Sequence, residues 1–191
     1  MLRTTLMALG VLGAASLLSQ DAGAAVTVLG NGLAQTCFEA AEFGGNPSDG
    51  IAACNEALSE VALSIRDRAA TLVNRGILYS RIEEPQLAIA DYTQGLSLVP
   101  TMGEGYVDRG AALIVLKRYD EALQDIDKGI SLGSNRLHIA YYDRGLVHEA
   151  MGNIRAAYDD YKKATEIQPD FALANAELAR FTVVHHPANG T

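Results

Sequence analysis

The chain is short of basic charge. Its 191 residues hold 15 Lys and Arg against 23 Asp and Glu, a formal net charge of -8. Nucleic-acid binding rests on cations that neutralise phosphates, so this balance offers DNA or RNA no electrostatic footprint. Cysteine is scarce as well, with Cys37 and Cys54 alone. Neither stands in the C-x2-C spacing of zinc and redox sites, and neither has a histidine partner in a nucleophile motif. The glycines are dispersed and form no G-x-x-x-x-G-K loop that would cradle phosphates. His148-Glu149 begins like the metalloprotease H-E-x-x-H, but Gly152 stands where the second histidine is required. His185-His186, beside Pro187 and Gly190, reads as part of a loose tail rather than as a metal site. The expectation is a non-catalytic chain with no cofactor and no metal.

Long apolar runs are missing too, except near the start. Residues 6 to 18 are apolar, Arg3 precedes them, and Ala22-Gly23-Ala24 has the small-residue spacing that signal peptidase accepts. The run is shorter than the roughly 20 residues that span a bilayer, and Asp21 follows it. Residues 1–24 are therefore expected to be a signal peptide cut near Ala24, giving an exported, periplasmic or secreted chain without a membrane span. Residues 25–34 read as a linker. Export places Cys37 and Cys54 where disulfides persist, leaving a structural bridge or two buried thiols as the alternatives.

What is present is enough apolar content to build a core, 49% of the residues. It recurs in register. Gly76, Gly110 and Gly145 are spaced 34 and 35 residues apart. The first block reads Leu72-x2-Arg75-Gly76-x2-Tyr79, then Ala88-x3-Tyr92, then Pro100. The second reads Tyr106-x2-Arg109-Gly110-x2-Leu113, then Ala122-x3-Ile126, with Ser134 in place of the proline. The third reads Tyr141-x2-Arg144-Gly145-x2-His148, then Ala157-x3-Tyr161, then Pro169. His148 thus falls where Tyr79 falls, which suits a packing side chain.

These blocks resemble the tetratricopeptide-repeat family. The resemblance implies an all-α, right-handed solenoid of helix-turn-helix hairpins, with repeats at 69–102, 103–137 and 138–171. A mid-helix glycine costs about 0.8 to 1 kcal/mol against alanine, so its return in each block needs a packing reason. The expected reason is close helix contact of Gly76 with Ala88, Gly110 with Ala122 and Gly145 with Ala157. The spacing places the additional residue of the second block in the turn at 132–136.

Upstream, residues 35–43 and 49–66 read as a degenerate first hairpin, 35–68 in all, joined by Gly44-Gly45-Asn46-Pro47 with Ser48 or Asp49 as N-cap. In such a hairpin Cys37 and Cys54 lie at comparable heights and a bridge is possible, worth roughly 3 kcal/mol if unstrained. Downstream, 172–181 reads as the capping helix that solenoids need, and 182–191 as a flexible tail.

A tripeptide recurs with the repeat: Asn74-Arg75-Gly76, Asp108-Arg109-Gly110 and Asp143-Arg144-Gly145. Each arginine is followed 16 residues later by an aspartate: Arg75 with Asp91, Arg109 with Asp125, Arg144 with Asp160. The expectation is a structural ion pair inside each hairpin rather than a ligand contact. Asn74, Asp108 and Asp143 differ. By resemblance the first helix of each hairpin lines the concave face, and matched polar residues there form a ladder for a peptide backbone. The alternative is that they satisfy neighbouring main chain. Val73, Ile77, Val107, Ala111, Ile114, Tyr142 and Leu146 complete the expected groove. The family's clamp for C-terminal carboxylates uses Lys, Arg and Asn on this surface; here two of three ladder residues are acidic. The expected partner is a protein or peptide offering a neutral or basic extended segment, or an amphipathic helix. The competing reading is a structural subunit of an envelope complex that docks through its repeat edges.

Overall fold

The computed structural model describes residues 4–8, 26, 32–60 and 62–185. Among them lie helices α1 (Leu33–Phe43), α2 (Pro47–Glu60), α3 (Ile65–Arg81), α4 (Pro85–Leu98), α5 (Gly103–Val115), α6 (Tyr119–Ser131), α7 (Leu137–Ala150), α8 (Ile154–Ile167) and α9 (Ala172–Leu178). Strands β1 (Thr4–Ala8) and β2 (Phe181–His185) pair antiparallel, with Thr4 opposite His185 and Ala8 opposite Phe181. Helices pack pairwise as α1/α2, α3/α4, α5/α6 and α7/α8, an all-α helical-repeat fold to which the ribbon is appended. Val26 and α1–α6 form one compact unit; α7–α9 with the ribbon form another.

The hairpin turns are built alike from unlike residues. At the end of α3, Glu84 N–H bonds Tyr79 C=O and Glu83 N–H bonds Ser80 C=O; the same pair recurs at Arg118/Leu113 with Lys117/Ile114, and at Asn153/His148 with Gly152/Glu149. This closes the orphan carbonyls of a helix end and forces one residue into the left-handed region. Glu83 and Lys117 accept that conformation at φ 60° and 58°, where Gly152 at φ 80° does so without a Cβ penalty. α6 ends in the same way on Gly133, φ 73°, in a five-residue connection, 132–136, that holds the additional residue of the second block.

Each repeated glycine faces chiefly the larger residue one turn beyond the expected alanine, and Gly110 also meets that alanine, a Cβ there standing 3.3 Å from Ala122 C=O. A Cβ on Gly76 would stand 2.6 Å from the Tyr92 ring, on Gly110 2.6 Å from Ile126 Cγ1, and on Gly145 2.5 Å from the Tyr161 ring. The second helix thus presses a buried ring or branched chain directly onto the backbone of the first. Tyr92, Ile126 and Tyr161 are accordingly among the most deeply buried large side chains.

The first hairpin is shorter than expected. α2 stops at Glu60 rather than 66, because Ser64 begins α3: its Oγ accepts from Asp67 N–H at 3.1 Å and donates to Asp67 Oδ2 at 2.7 Å. That reciprocal cap satisfies the helix start and claims residues 65 and 66 for α3. α3 in turn finishes both preceding helices. Arg68 donates to Leu58 C=O at 3.1 Å, and Arg81 donates to Ala40 C=O at 2.7 Å and to Ala41 C=O. Cys37 and Cys54 form a disulfide across the pair, with Cα atoms 4.9 Å apart.

The far end also departs from expectation. α9 closes at Leu178 rather than 181, and Thr182 to His185, read from sequence as flexible tail, lie in β2. Thr182-Val183-Val184 is a β-branched run whose main chain pairs with β1. Residues 186–191 lie outside the described residues, as does the expected signal peptide except for Thr4–Ala8. Its removal would take β1 away and leave β2 without a ladder partner. Arg180 anchors the end of this region, its Nη2 2.7 Å from Glu149 Oε1, while Tyr161 Oη donates to Glu149 Oε2 at 2.9 Å.

Candidate peptide-binding surface

α3, α5 and α7 carry the recurring tripeptide at the same helical position, so its two parts can be compared across hairpins. The arginines point into their own hairpins. Arg75 Nε and Nη2 each meet an Asp91 oxygen at 2.7 Å; Arg109 meets Asp125 at 2.6 and 2.8 Å; Arg144 meets Asp160 at 2.9 and 2.7 Å. Such a fork-on-fork pair fixes both position and orientation. Each guanidinium also stands over a tyrosine ring, Tyr79 at 5.8 Å, Tyr106 at 5.6 Å and Tyr141 at 5.1 Å. The bonds to Asp91 and Asp125 push the Arg75 and Arg109 pKa values up, outweighing the burial that lowers them.

The third nitrogen reaches backward. Arg75 Nη1 donates to Asn55 Oδ1 at 2.6 Å, and Arg109 Nη1 to Thr93 Oγ1 at 3.1 Å, so both arginines tie their hairpin to the helix before it. Asn55 and Thr93 carry no signal in the repeat pattern, since their distances from the two arginines, 20 and 16 residues, do not match. In the third hairpin His148 Nε2 also approaches the strut carboxylate, 3.7 Å from Asp160 Oδ2.

Asn74 does something different. Its Oδ1 accepts from Val26 N–H at 2.7 Å and its Nδ2 donates to Val26 C=O at 2.9 Å. One side-chain amide thereby reads both polar groups of one main-chain residue, which requires them to point the same way, as they do in extended chain. The Val26 side chain packs against a cluster of Ala34, Ala57 and Ala70, drawn from α1, α2 and α3. Asn74 is left 0% exposed. Sequence reasoning placed residues 25–34 in a linker and had no means of locating Val26, because nothing in residues 25–34 repeats.

Asp108, the matching residue of α5, is half-buried, and its charge adds to the burial that pushes the Tyr92 hydroxyl well above the ordinary tyrosine range. Asp143, in the other unit, is buried, and adds in the same way to the burial and the Glu177 charge that raise Tyr142. The apolar positions divide. Ala111, Ile114 and Leu146 are partly exposed, Leu146 while packing on the cluster of Tyr142, Tyr161 and Phe171. Val73, Ile77, Val107 and Tyr142, expected to line the groove, are instead buried in the core. Val73 packs on the glycine backbones of α4 and α5, Val107 on Gly129, and Tyr142 edge-on to Phe171 at 5.4 Å. Glycines in the facing helices admit Val73 and Val107, and Phe171 packs on Tyr142, neighbours that helical periodicity alone does not reveal.

Antiparallel hairpins repeated on a common plan, with polar side chains at one recurrent position, define an all-α helical-repeat protein. Residues 138–171, which span the α7/α8 hairpin, match the family model of the tetratricopeptide repeat. The chain is 36% identical over 93 residues to small glutamine-rich tetratricopeptide repeat-containing protein 2 of Saccharomyces cerevisiae, covering 46% of this chain and 25% of that protein. It is 30% identical over 103 residues to the mitochondrial import receptor subunit TOM70 of Rattus norvegicus, covering 51% of this chain and 17% of the relative. The match thus spans a quarter or less of either relative's length. Among solved structures it is similar to MamA, at 26% identity and TM-score 0.60 over 69% of this chain and 74% of that one. It is similar also to the first TPR of Spaghetti (RPAP3) bound to the HSP90 peptide SRMEEVD, at 26% identity and TM-score 0.57, covering 60% of this chain and 90% of that chain.

Proposed function

We propose that this chain is an exported, non-catalytic interaction module that binds an extended or helical polypeptide segment through the first helices of its hairpins, at Asn74, Asp108, Ala111 and Ile114 and at the equivalent Asp143 and Leu146. The observation that carries the reading is the paired hydrogen bonding of a main-chain residue by Asn74. Peptide capture by the similar RPAP3 repeat supports it. The HSP90 peptide there is acidic, whereas two of the three ladder residues here are carboxylates in a chain of net charge -8. A neutral or basic segment is therefore the better electrostatic match.

Crosslinked pull-down from the extracytoplasmic fraction tests the reading, comparing wild type with Asn74→Ala/Asp108→Ala/Asp143→Ala. A partner captured by the first and lost by the second is expected; equal capture of every partner by both sinks the proposal. The intact mass of the chain from that fraction tests export, with loss of residues 1–24 as the expected result.

A second reading has one observation of its own. Phe43 and Ile65 are 78% and 68% exposed, unusual for residues of this size, and sit at the end of α1 and the start of α3. Docking into a larger envelope assembly through the first hairpin would cover them, and Phe43→Ser/Ile65→Ser would then abolish assembly while the ladder variant would not.

A further inference from the structure

The geometry points to a single-residue reading station, Asn74 with an alanine-lined socket, that holds the chain's own Val26 at rest and exchanges it for a valine-like residue of an extended partner segment. This rests on the surface-binding reading above and adds to it a partner chemistry and a built-in competitor.

Three features carry it. First, the station serves both polar groups of a main-chain residue: an amide carries an oxygen that accepts and an NH2 that donates, and Val26 engages each, at 2.7 and 2.9 Å. A carboxylate at the same helical position, as in Asp108, can only accept, so it bonds main-chain N–H groups alone. Second, the place where Val26 docks is apolar and lined by small residues: Val26 packs on buried Ala34, Ala57 and Ala70, with Leu33, Phe38 and Leu63 beside them, and it also touches the larger core cluster that holds Cys37 and Val73. Third, the occupant is neutral. The sequence about Val26, Ala-Gly-Ala-Ala-Val-Thr-Val-Leu-Gly over 22–30, carries no charge, in keeping with a partner segment that suffers no repulsion from an acidic surface.

Val26 lies six residues before the first described residue of the helical body, Gly32. Because Val26 belongs to the same chain its docking is intramolecular, so a partner must out-compete it and its apparent affinity falls by the fraction of open station. Weakening the tethered occupant should therefore strengthen binding in trans, whereas a merely structural contact would give no such gain.

The test is an anisotropy titration of a fluorescein-labelled peptide of residues 22–30 into the full chain. Val26→Asp, which places a charge in the alanine socket, is expected to bind the peptide about ten-fold more tightly than wild type. Adding Asn74→Leu to Val26→Asp should abolish that binding, and a peptide carrying aspartate in place of Val26 should not bind. A Val26→Asp chain with native helical circular dichroism but no gain in affinity overturns the proposal. Should that variant fold poorly, hydrogen exchange on wild type decides: excess peptide should deprotect the Val26 amide, and unchanged protection again overturns the exchange. Loss of exchange leaves the broader surface reading intact if Asp108→Ala/Asp143→Ala still releases the captured partner, so the two failures are distinguishable.

Discussion

Gly76 and Tyr92 meet so closely that a methyl group on the glycine would stand 2.6 Å from the tyrosine ring, and the ring, 1% exposed, has nowhere to retreat. Gly76→Ala gains about 1 kcal/mol of helix propensity but must displace a buried aromatic, an overpacking cost of about 1 to 3 kcal/mol. Net destabilisation is expected, read as a lower urea midpoint. Gly76→Ala/Tyr92→Leu should recover part of it, since leucine frees the space that the added methyl needs.

The strut pairs should behave as units. Asp91→Ala leaves Arg75 with an unpaired charge in a site whose side chains are 19% and 8% exposed, and should cost about 2 kcal/mol after allowing for partial solvent access. Arg75→Leu/Asp91→Leu should cost less than Asp91→Ala, because both buried charges go together. A thermodynamic cycle over Arg75 and Asp91 is expected to show coupling of about 1 to 3 kcal/mol, and none would mean that the strut is incidental.

Alkaline pH should unfold the chain before its arginines titrate. Burial, above other causes, raises the Tyr92 and Tyr161 hydroxyls in the folded state relative to the ordinary value of 10.0. A raised folded pKa means that the native state holds its proton longer than the unfolded chain does. The stability this represents is whole below pH about 10 and is lost as pH rises further. Tyr161→Phe should flatten that loss while lowering stability at neutral pH by about 1 kcal/mol, for the hydrogen bond to Glu149. Urea midpoints at pH 8, 10 and 11 check both.

Reduction should act locally. The bridge between Cys37 and Cys54 spans a separation of 17 residues, and opening it should cost roughly 3 kcal/mol, chiefly in α1 and α2. Ala34 and Ala57 belong to those helices and to the Val26 socket. Reducing agent should therefore raise hydrogen exchange at Val26 along with α1 and α2, leaving α4–α6 nearly unchanged.

How much of this was legible beforehand differs from element to element. Arg75, Arg109 and Arg144 could be matched with their aspartates because each pair lies inside one hairpin, where a fixed sequence separation means a fixed distance. Helix pairing follows for the same reason, from glycine and alanine returning at a set interval. Asn55 and Thr93 could not be found this way, since they belong to the preceding helix, at separations that no repeat constrains. Nor could Val73, Val107 and Tyr142 be assigned to the core, because helical periodicity marks an apolar face but not which neighbour covers it.

The sequence by itself determined the repeat: local spacing sets which residues share a helix face, and small residues in step set how closely two helices approach. Only the tertiary structure decided what those faces touch. Val26 meets Asn74 across 48 residues of chain, and Thr4–Ala8 meets Phe181–His185 across nearly the whole of it. Contacts of that range depend on where folded hairpins deliver their surfaces, and no periodicity along the chain records it.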